Sequence, residues 1–316
     1  MNSQTKNKKS REQLDAMFAL AFPGERCKEW TELSEGCFNV AYLARSETGR
    51  QSVLKIAPSA QMTVMSYEKN IMESEVRAME LASRDEEIPV ARVYYYDDSR
   101  TLCDAPYFFM EKLPGRSVGS LGDTLTREER RRIDRRVGEL NRRINRIQAP
   151  AFGLPGQPAY QGTEWYPVFR RMVELGVSDA AARDIDLKIS TGELFEKLEK
   201  DREIFQEVRI PRLLHWDLWE GNVFVENGEV TGLIDWERSL WADPLMEVGF
   251  RTYKDTRAFL EGYGIGQLSQ REARRALWYD VYLTLLVSLE YEYRHYDTTE
   301  MYDWAVDLLV RQLGKL

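Results

Sequence analysis

Histidine is nearly absent from this chain: His215 and His295 are the only two in 316 residues. A zinc site built from histidine and cysteine is therefore excluded in practice. The three cysteines, Cys27, Cys37 and Cys103, are odd in number and scattered, with no CxxC pair. They suggest neither a disulfide framework nor an oxidising compartment. No hydrophobic run approaches a bilayer span; the most apolar late stretch, Val281 to Leu289, is far too short. The first residues, MNSQTKNKKSR, are polar and basic and contain no apolar segment of the secretory type. A cytoplasmic protein that does not enter membranes is expected. Positive charge is also in deficit. The formal net charge of −8 argues against a general nucleic-acid binder and is compatible with a cationic small substrate.

With 43% hydrophobic and 30% charged residues, the composition is that of an ordinary globular protein. The length suits two lobes rather than one core. After a basic tail (residues 1–11), Glu12 to Phe22 reads as a short helix. From Trp30 to Ile56 three β-rich runs alternate with turns at Ser34-Glu35-Gly36 and Glu47-Thr48-Gly49-Arg50. A helix follows through MESEVRAMELASR, and two more strands lie in VARVYYYDD and APYFFMEKL. Pro114-Gly115 then breaks the chain, and the remainder is largely helical. Thr126 and Glu129 form a capping box ahead of Ile133, Val137, Leu140, Ile144 and Ile147. Arg131, Arg135, Arg142 and Arg146 on the other faces of that helix read as a solvated stripe. Further helices are expected over Glu164 to Leu175, Thr191 to Phe205, Ser269 (boxed with Glu272) to Tyr293, and Glu300 to Leu313.

The chemistry concentrates between Leu213 and Ser239, LLHWDLWEGNVFVENGEVTGLIDWERS. Asn222 follows Asp217 by five positions, and Asp235 ends a second apolar run. Asn227-Gly228 favours positive φ and marks a hairpin turn. Such a hairpin brings Asn222 beside Asp235, two oxygen ligands that could hold Mg²⁺ while phosphate oxygens and water fill the other positions. Asp217 would face an incoming hydroxyl. This is the equipment of phosphoryl transfer, where charge on the phosphates is neutralised and a carboxylate orients the acceptor. Upstream, Lys55 stands inside the apolar run Val53-Leu54-Lys55-Ile56, and burying it requires a partner. Glu73 and Glu75 in the next helix both qualify.

Each residue alone has an ordinary explanation. Asp217 and Asn222 are good loop-capping residues, Lys55 can snorkel from an edge strand, and Asp235 can cap a helix. Their order and contexts together carry the argument. HWDLWEGN with IDWE, VLKI and the ESEVRAMEL helix resembles the aminoglycoside phosphotransferase and choline kinase-like family, relatives of the protein kinases, over roughly Trp30 to Phe250.

The resemblance implies an α+β, bilobal protein-kinase-like fold. A nucleotide-binding lobe (residues 12–113) would hold a five-stranded antiparallel sheet plus a helix, followed by a larger, mainly helical lobe (residues 114–316). It also implies ATP, with GTP possible, and Mg²⁺ as cofactors. Asp217 takes the role of catalytic base, Asn222 and Asp235 those of metal ligands, and Lys55 with Glu75, rather than Glu73, positions the nucleotide. Gly36, Phe38 and Asn39 fall in the phosphate loop, although that loop has one glycine instead of GxGxxG. Glu111 and Leu113 fall in the hinge, where a backbone carbonyl and N–H would meet adenine. His215 takes a structural role. Asp243-Pro244 with Glu247 matches the family's Asp-Pro-x-x-Asp, with Glu in place of the last Asp.

Cationic substrates in this family meet carboxylates of the C-terminal helices. Trp219, Glu220, Glu237, Glu290 and Glu292 are the corresponding candidates here. Most other aromatics near the motif, Trp216 and Trp236 among them, are expected to pack in the core. The function implied is transfer of the γ-phosphate of ATP to a hydroxyl of a small, cationic, aminoglycoside-like molecule. Choline, a fructosamine-type sugar or a hydroxy amino acid are alternatives, as is a nucleotide-binding module without turnover. A protein kinase is disfavoured. Asp243-Pro244 begins eight positions after Asp235, too few for an activation segment, and no Ala-Pro-Glu is present. Assembly as a monomer or a small homo-oligomer is expected.

Overall fold

The structure, a computed structural model, describes residues 6–33 and 38–316. Gly36 therefore lies outside the described residues. The chain opens with helix α1 (Arg11–Ala21), fixed by a capping box between Ser10 and Gln13. Five strands follow: β1 (Cys27–Leu33), β2 (Val40–Ser46), β3 (Gln51–Ile56), β4 (Val93–Asp97) and β5 (Tyr107–Glu111). They form an antiparallel sheet in the order β1-β2-β3-β5-β4.

Alternation of side chains decides what each face of the sheet carries. Leu54 opposes Phe109 across β3 and β5, and Phe109 meets Phe18 and Phe22 of α1 edge-on at 5.9 and 5.3 Å. Lys55, opposite Phe108, points to the other face, towards helix α2 (Ile71–Ala82).

Beyond β5 lie the short strand β6 (Arg116–Ser117) and helices α3 (Val118–Leu121) and α4 (Arg127–Ile144), the latter with the Thr126–Glu129 capping box. Ile133, Val137, Leu140 and Ile144 are buried, while Arg131, Arg135, Arg142 and Arg146 are exposed. Helices α5 (Trp165–Ala182), α6 (Thr191–Lys200) and α7 (Arg202–Phe205) precede the strands of the site: β7 (Arg212–Leu214), β8 (Val223–Glu226), β9 (Glu229–Leu233) and β10 (Leu240–Ala242). Helices α8 (Arg257–Tyr263), α9 (Gln270–Arg294) and α10 (Glu300–Leu313) close the chain. Helix α8 crosses α4 at backbone contact. A Cβ on Gly138 would stand 2.2 Å from the Phe259 carbonyl oxygen, and one on Gly262 would stand 1.8 Å from that of Arg135. No helix among the described residues is long and apolar enough to cross a membrane.

Two expected helices differ. The one expected from Thr191 to Phe205 breaks at Asp201, whose carboxylate is held by Arg274 Nε at 2.7 Å and the Trp278 indole at 2.8 Å. Helix α5 runs two turns past Leu175; Gly176 is small enough to lie against Leu285 of α9, and Ala180 is buried.

The start of α2 is gripped by the helical half of the molecule. Gln157 Nε2 lies within hydrogen-bonding distance of the carbonyls of Ser66, Tyr67 and Lys69, at 3.0, 3.2 and 3.1 Å. Asn70 Nδ2 donates to the Gly156 carbonyl at 3.0 Å, and the Gly156 N–H donates to Ser74 Oγ at 2.9 Å.

Candidate active site

The hairpin β8–β9 turns through Asn227 and Gly228, both at positive φ (52° and 82°). Val223 pairs with Leu233, and the Ile234 N–H donates to the Asn222 carbonyl at 3.0 Å. Asn222 and Asp235 thereby meet at the open end of the hairpin. Asn222 Nδ2 donates to the Asp217 carbonyl at 2.8 Å and to Asp217 Oδ2 at 3.0 Å. An amide nitrogen has two hydrogens, so this pair commits the nitrogen and leaves Oδ1 as the group's acceptor.

His215 is fully buried beneath this loop. A carbonyl can only accept, so Nε2 donates to the Ile234 carbonyl at 3.1 Å, and the bare Nδ1 faces the Asp217 N–H at 3.4 Å. Burial pushes its pKa down to about 4, which keeps the ring neutral. It is a strut between loop and hairpin, not a proton carrier.

Glu247 holds the loop from below. Its buried carboxylate accepts from the backbone N–H groups of His215 (3.0 Å) and Trp216 (2.8 Å), and from the Asn141 and Asn145 amides (2.8 and 3.0 Å). Trp216 needs this support because it stands at φ 61°, a conformation disfavoured for a bulky side chain. Its ring stacks on Tyr282 with centroids 5.6 Å apart and planes 4° from parallel. Sequence reasoning noted Glu247 only as a replacement for Asp and missed both asparagines. Their signal was polar residues four apart on the apolar face of α4.

Lys55 is the hub of a second cluster. Its ammonium lies 2.8 Å from both oxygens of Glu75, 2.6 Å from Asp235 Oδ1 and 3.5 Å from Glu237 Oε2. Glu73 instead pairs with Arg77, four residues on, in a more exposed ion pair. Burial opposes the charge on Lys55, but Asp235, Glu75 and Glu237 together hold its pKa well above the usual value. Glu237 also accepts from Asn39 Nδ2 at 2.6 Å, and burial with Asp235 alongside pushes it up to about 8. Phe38, the neighbour of Asn39, lies under the guanidinium of Arg294 at 4.0 Å, and Arg294 is ion-paired with buried Glu68. Burial, against the opposing charge of Arg238, pushes Asp217 up to about 7 overall. Asp235 and Glu290 contribute to that rise, and Arg251 acts against it.

An acidic oxygen raised towards neutrality, an amide oxygen and a carboxylate at one hairpin end, and a buried lysine bridging them to an N-terminal helix form one continuous site. Residues 29–278 match the model of the phosphotransferase enzyme family. The chain belongs to this family. Its fold is also that of solved structures at low identity. One is a candidate fructosamine-3-kinase of Haemophilus somnus (TM-score 0.70, 17% identity, 96% of this chain and 97% of that one). Another is the aminoglycoside phosphotransferase APH(4)-Ia (TM-score 0.68, 16% identity, 96% and 99%). A subtelomeric hrmA-associated cluster protein of Aspergillus fumigatus is 30% identical over 132 residues, 40% of this chain and only 24% of that protein's length.

On the acceptor side of this phosphotransferase the expected residues divide. Glu290 is buried and bonded to Arg238 at 2.6 Å, both within the electrostatic reach of Asp217. Glu220 is exposed and bonded to Arg130 at 2.7 Å. Trp219 is 55% exposed and packs against Gly221. Glu292 is exposed and, two residues on from Glu290, faces away from it on α9; it is not brought to the site. Glu111 ends β5, where its N–H donates to the Arg92 carbonyl at 2.8 Å, and Leu113 rests beside Gly232 at the base of the hairpin. Arg238, Arg251 and Arg294 were not singled out in the sequence.

Proposed function

We propose that this phosphotransferase moves the γ-phosphoryl group of ATP, with Mg²⁺, to a hydroxyl of a small molecule. The observation that carries the reading is the junction of Asp217, Asn222 and Asp235 with the Lys55–Glu75 pair. Mg²⁺ fits the donor set. Asn222 Oδ1 is left over by its two amide bonds, and Asp235 Oδ2 has no hydrogen bond to Lys55, which takes Oδ1. The metal, when bound, neutralises charge on the phosphate oxygens.

The protein's own residues do the rest. Lys55, held by Glu75, offers its ammonium to the α- and β-phosphates. Glu111 and Leu113 present a carbonyl and an N–H to the purine, contacts that admit GTP as well as ATP. Asn39 and Phe38 lie at the phosphate loop. Asp217 accepts the hydroxyl proton as the acceptor oxygen bonds to phosphorus and the bond to the β–γ bridging oxygen breaks, releasing ADP. Orientation by the Glu247-braced loop contributes more than basicity.

The solved relatives support a small acceptor. APH(4)-Ia has been captured with ADP and hygromycin B, and the Haemophilus protein is named for a fructosamine substrate. A polycationic acceptor, however, needs carboxylates free to meet its ammonium groups, and Glu220 and Glu290 already face arginines. The test is ADP release from Mg²⁺–ATP against aminoglycosides, choline, fructosamine-type sugars and hydroxy amino acids. Asp217→Ala should lower turnover at least ~10³-fold, the scale of losing a positioned base, and leave nucleotide affinity intact. Near-normal turnover in that variant would refute Asp217 as base. Nucleotide binding without turnover on any acceptor would favour a binding module.

A further inference from the structure

Arg251 follows the short turn Val248–Phe250, four positions after Glu247, and is 3% exposed. Its Nη1 faces Asp280 Oδ1 at 3.5 Å. The other Asp280 oxygen is occupied, accepting from the Thr252 N–H at 2.8 Å and its hydroxyl at 2.6 Å. Arg251 Nε and Nη2 have no hydrogen-bond partner among the described residues. These two nitrogens share the side-on edge of the guanidinium. Their parallel N–H groups form the fork that matches two oxygens of a carboxylate or a phosphate. Buried donors are rarely left without an acceptor, and an unpaired charged edge is the costliest kind.

This edge lies in the wall beside the base. Asp280, the ion-pair partner of Arg251, is on α9, the helix whose Tyr282 ring stacks on Trp216, the neighbour of Asp217. Arg251 is among the cations acting on Asp217. Lys254, three residues on, adds a second ammonium within the reach of Arg251 and Asp280. Of the carboxylates nearby, Glu290 is paired with Arg238, Glu220 with Arg130, and Asp280 with Thr252 through one oxygen and with the Arg251 charge through the other. Two of the unmet hydrogen-bonding groups here, Nε and Nη2, belong to one guanidinium and lie side by side.

We propose that the Nε–Nη2 fork of Arg251 anchors an oxyanion, carboxylate or phosphate, carried by the acceptor whose hydroxyl Asp217 faces. The acceptor is then a hydroxy acid or a hydroxyl-bearing phosphate ester, not a polycation. This rests on the phosphoryl-transfer reading above. Tyr253 and Trp304, an exposed edge-on pair 6.1 Å apart, stand next in sequence and space as the cover such a ligand would displace or close under.

The experiment uses the full chain loaded with Mg²⁺–AMP-PNP for binding and with Mg²⁺–ATP for turnover. The probes are matched pairs: glycerate and glyceramide, L-homoserine and its methyl ester, ribose 5-phosphate and ribose, with kanamycin as the polycation. At least one anionic member should exceed its neutral counterpart by 100-fold or more in kcat/KM, and the pair that responds distinguishes carboxylate from phosphate. Arg251→Lys keeps a charge opposite Asp280 but lacks the fork. It should raise the acceptor KM at least tenfold while the KM for ATP stays within twofold. Arg251→Met with Asp280→Asn removes both buried charges together and should show the same split, which separates the anchoring role from a folding defect. Preference for kanamycin or a neutral member, no binding of any anionic member, or unchanged discrimination in Arg251→Lys each overturns the proposal. Failure of AMP-PNP itself to bind the unaltered protein removes the phosphoryl-transfer reading, and this proposal with it.

Discussion

The Lys55 ammonium sits 2.8 Å from each carboxylate oxygen of Glu75, so the third strand of the sheet and the helix beside it are joined by a single buried ion pair. The same nitrogen reaches Asp235 across the cleft at 2.6 Å. One side chain therefore couples three elements that are far apart in sequence.

Lys55→Met would strand Glu75 and Asp235 without their cation. Breaking a buried pair from one side costs about 3–5 kcal/mol, whereas replacing both partners with apolar groups is often close to neutral. Urea denaturation should show Lys55→Met strongly destabilised and Lys55→Met/Glu75→Leu restored in part, with Asp235 still lacking its cation. Neither variant should recover catalysis: both should show a raised KM for ATP and a lowered kcat. Unchanged values in Lys55→Met would remove Lys55 from the nucleotide site.

Asp217 carries a proton more readily than an exposed aspartate, with its pKa at about 7. Only the ionised form can accept the hydroxyl proton, so kcat/KM for the acceptor should rise with pH and level off above neutrality. Below that point it should fall about tenfold per unit. A profile flat down to pH 5 would show that the carboxyl ionises like an exposed one.

Glu247 accepts four hydrogen bonds that set the Trp216 turn. Glu247→Ala should cost about 3 kcal/mol or more, since each abandoned buried donor costs ~1–3 kcal/mol. On the proposed roles the loop holds the base and not the nucleotide, so the effect on rate should fall on kcat more than on the KM for ATP. Glu247→Asp shortens the arm by one methylene and should lie between. Equal loss in both parameters would contradict this division.

His215 gives a stability signature of defined sign. The unfolded chain protonates it near 6.5 and the folded protein only at about 4, so between those values the unfolded state holds more protons. Stability from this group rises as pH increases from 4 to 6.5 and is complete above, by on the order of 3 kcal/mol. The urea midpoint of the unaltered protein should fall more steeply on acidification across that window than that of His215→Gln, which retains a donor for the Ile234 carbonyl. Parallel curves would show that His215 titrates normally.

Elements announced by local chemistry were legible in the sequence. The Thr126–Glu129 and Ser269–Glu272 boxes, the Asn227-Gly228 turn and the α10 boundaries correspond to what the chain alone implies. The break at Asp201 was not, because it depends on Arg274 and Trp278 arriving from another helix. The same holds within the site. Asp217, Asn222 and Asp235 share one short stretch, whereas Arg238 with Glu290, Arg251 with Asp280 and Arg294 with Glu68 are pairings that only tertiary folding creates. A buried arginine has no local pattern to distinguish it from the solvated arginines of α4.

Gln157, Asn70 and Gly156 fasten the Glu75 helix and the residues leading into it to the opposite half of the molecule. Swinging that helix outward, the motion by which a kinase can be switched off, would tear this clasp as well as the Lys55 pair. The helix can therefore leave the sheet only if it also parts from the helical half of the molecule, so the two contacts open together or not at all.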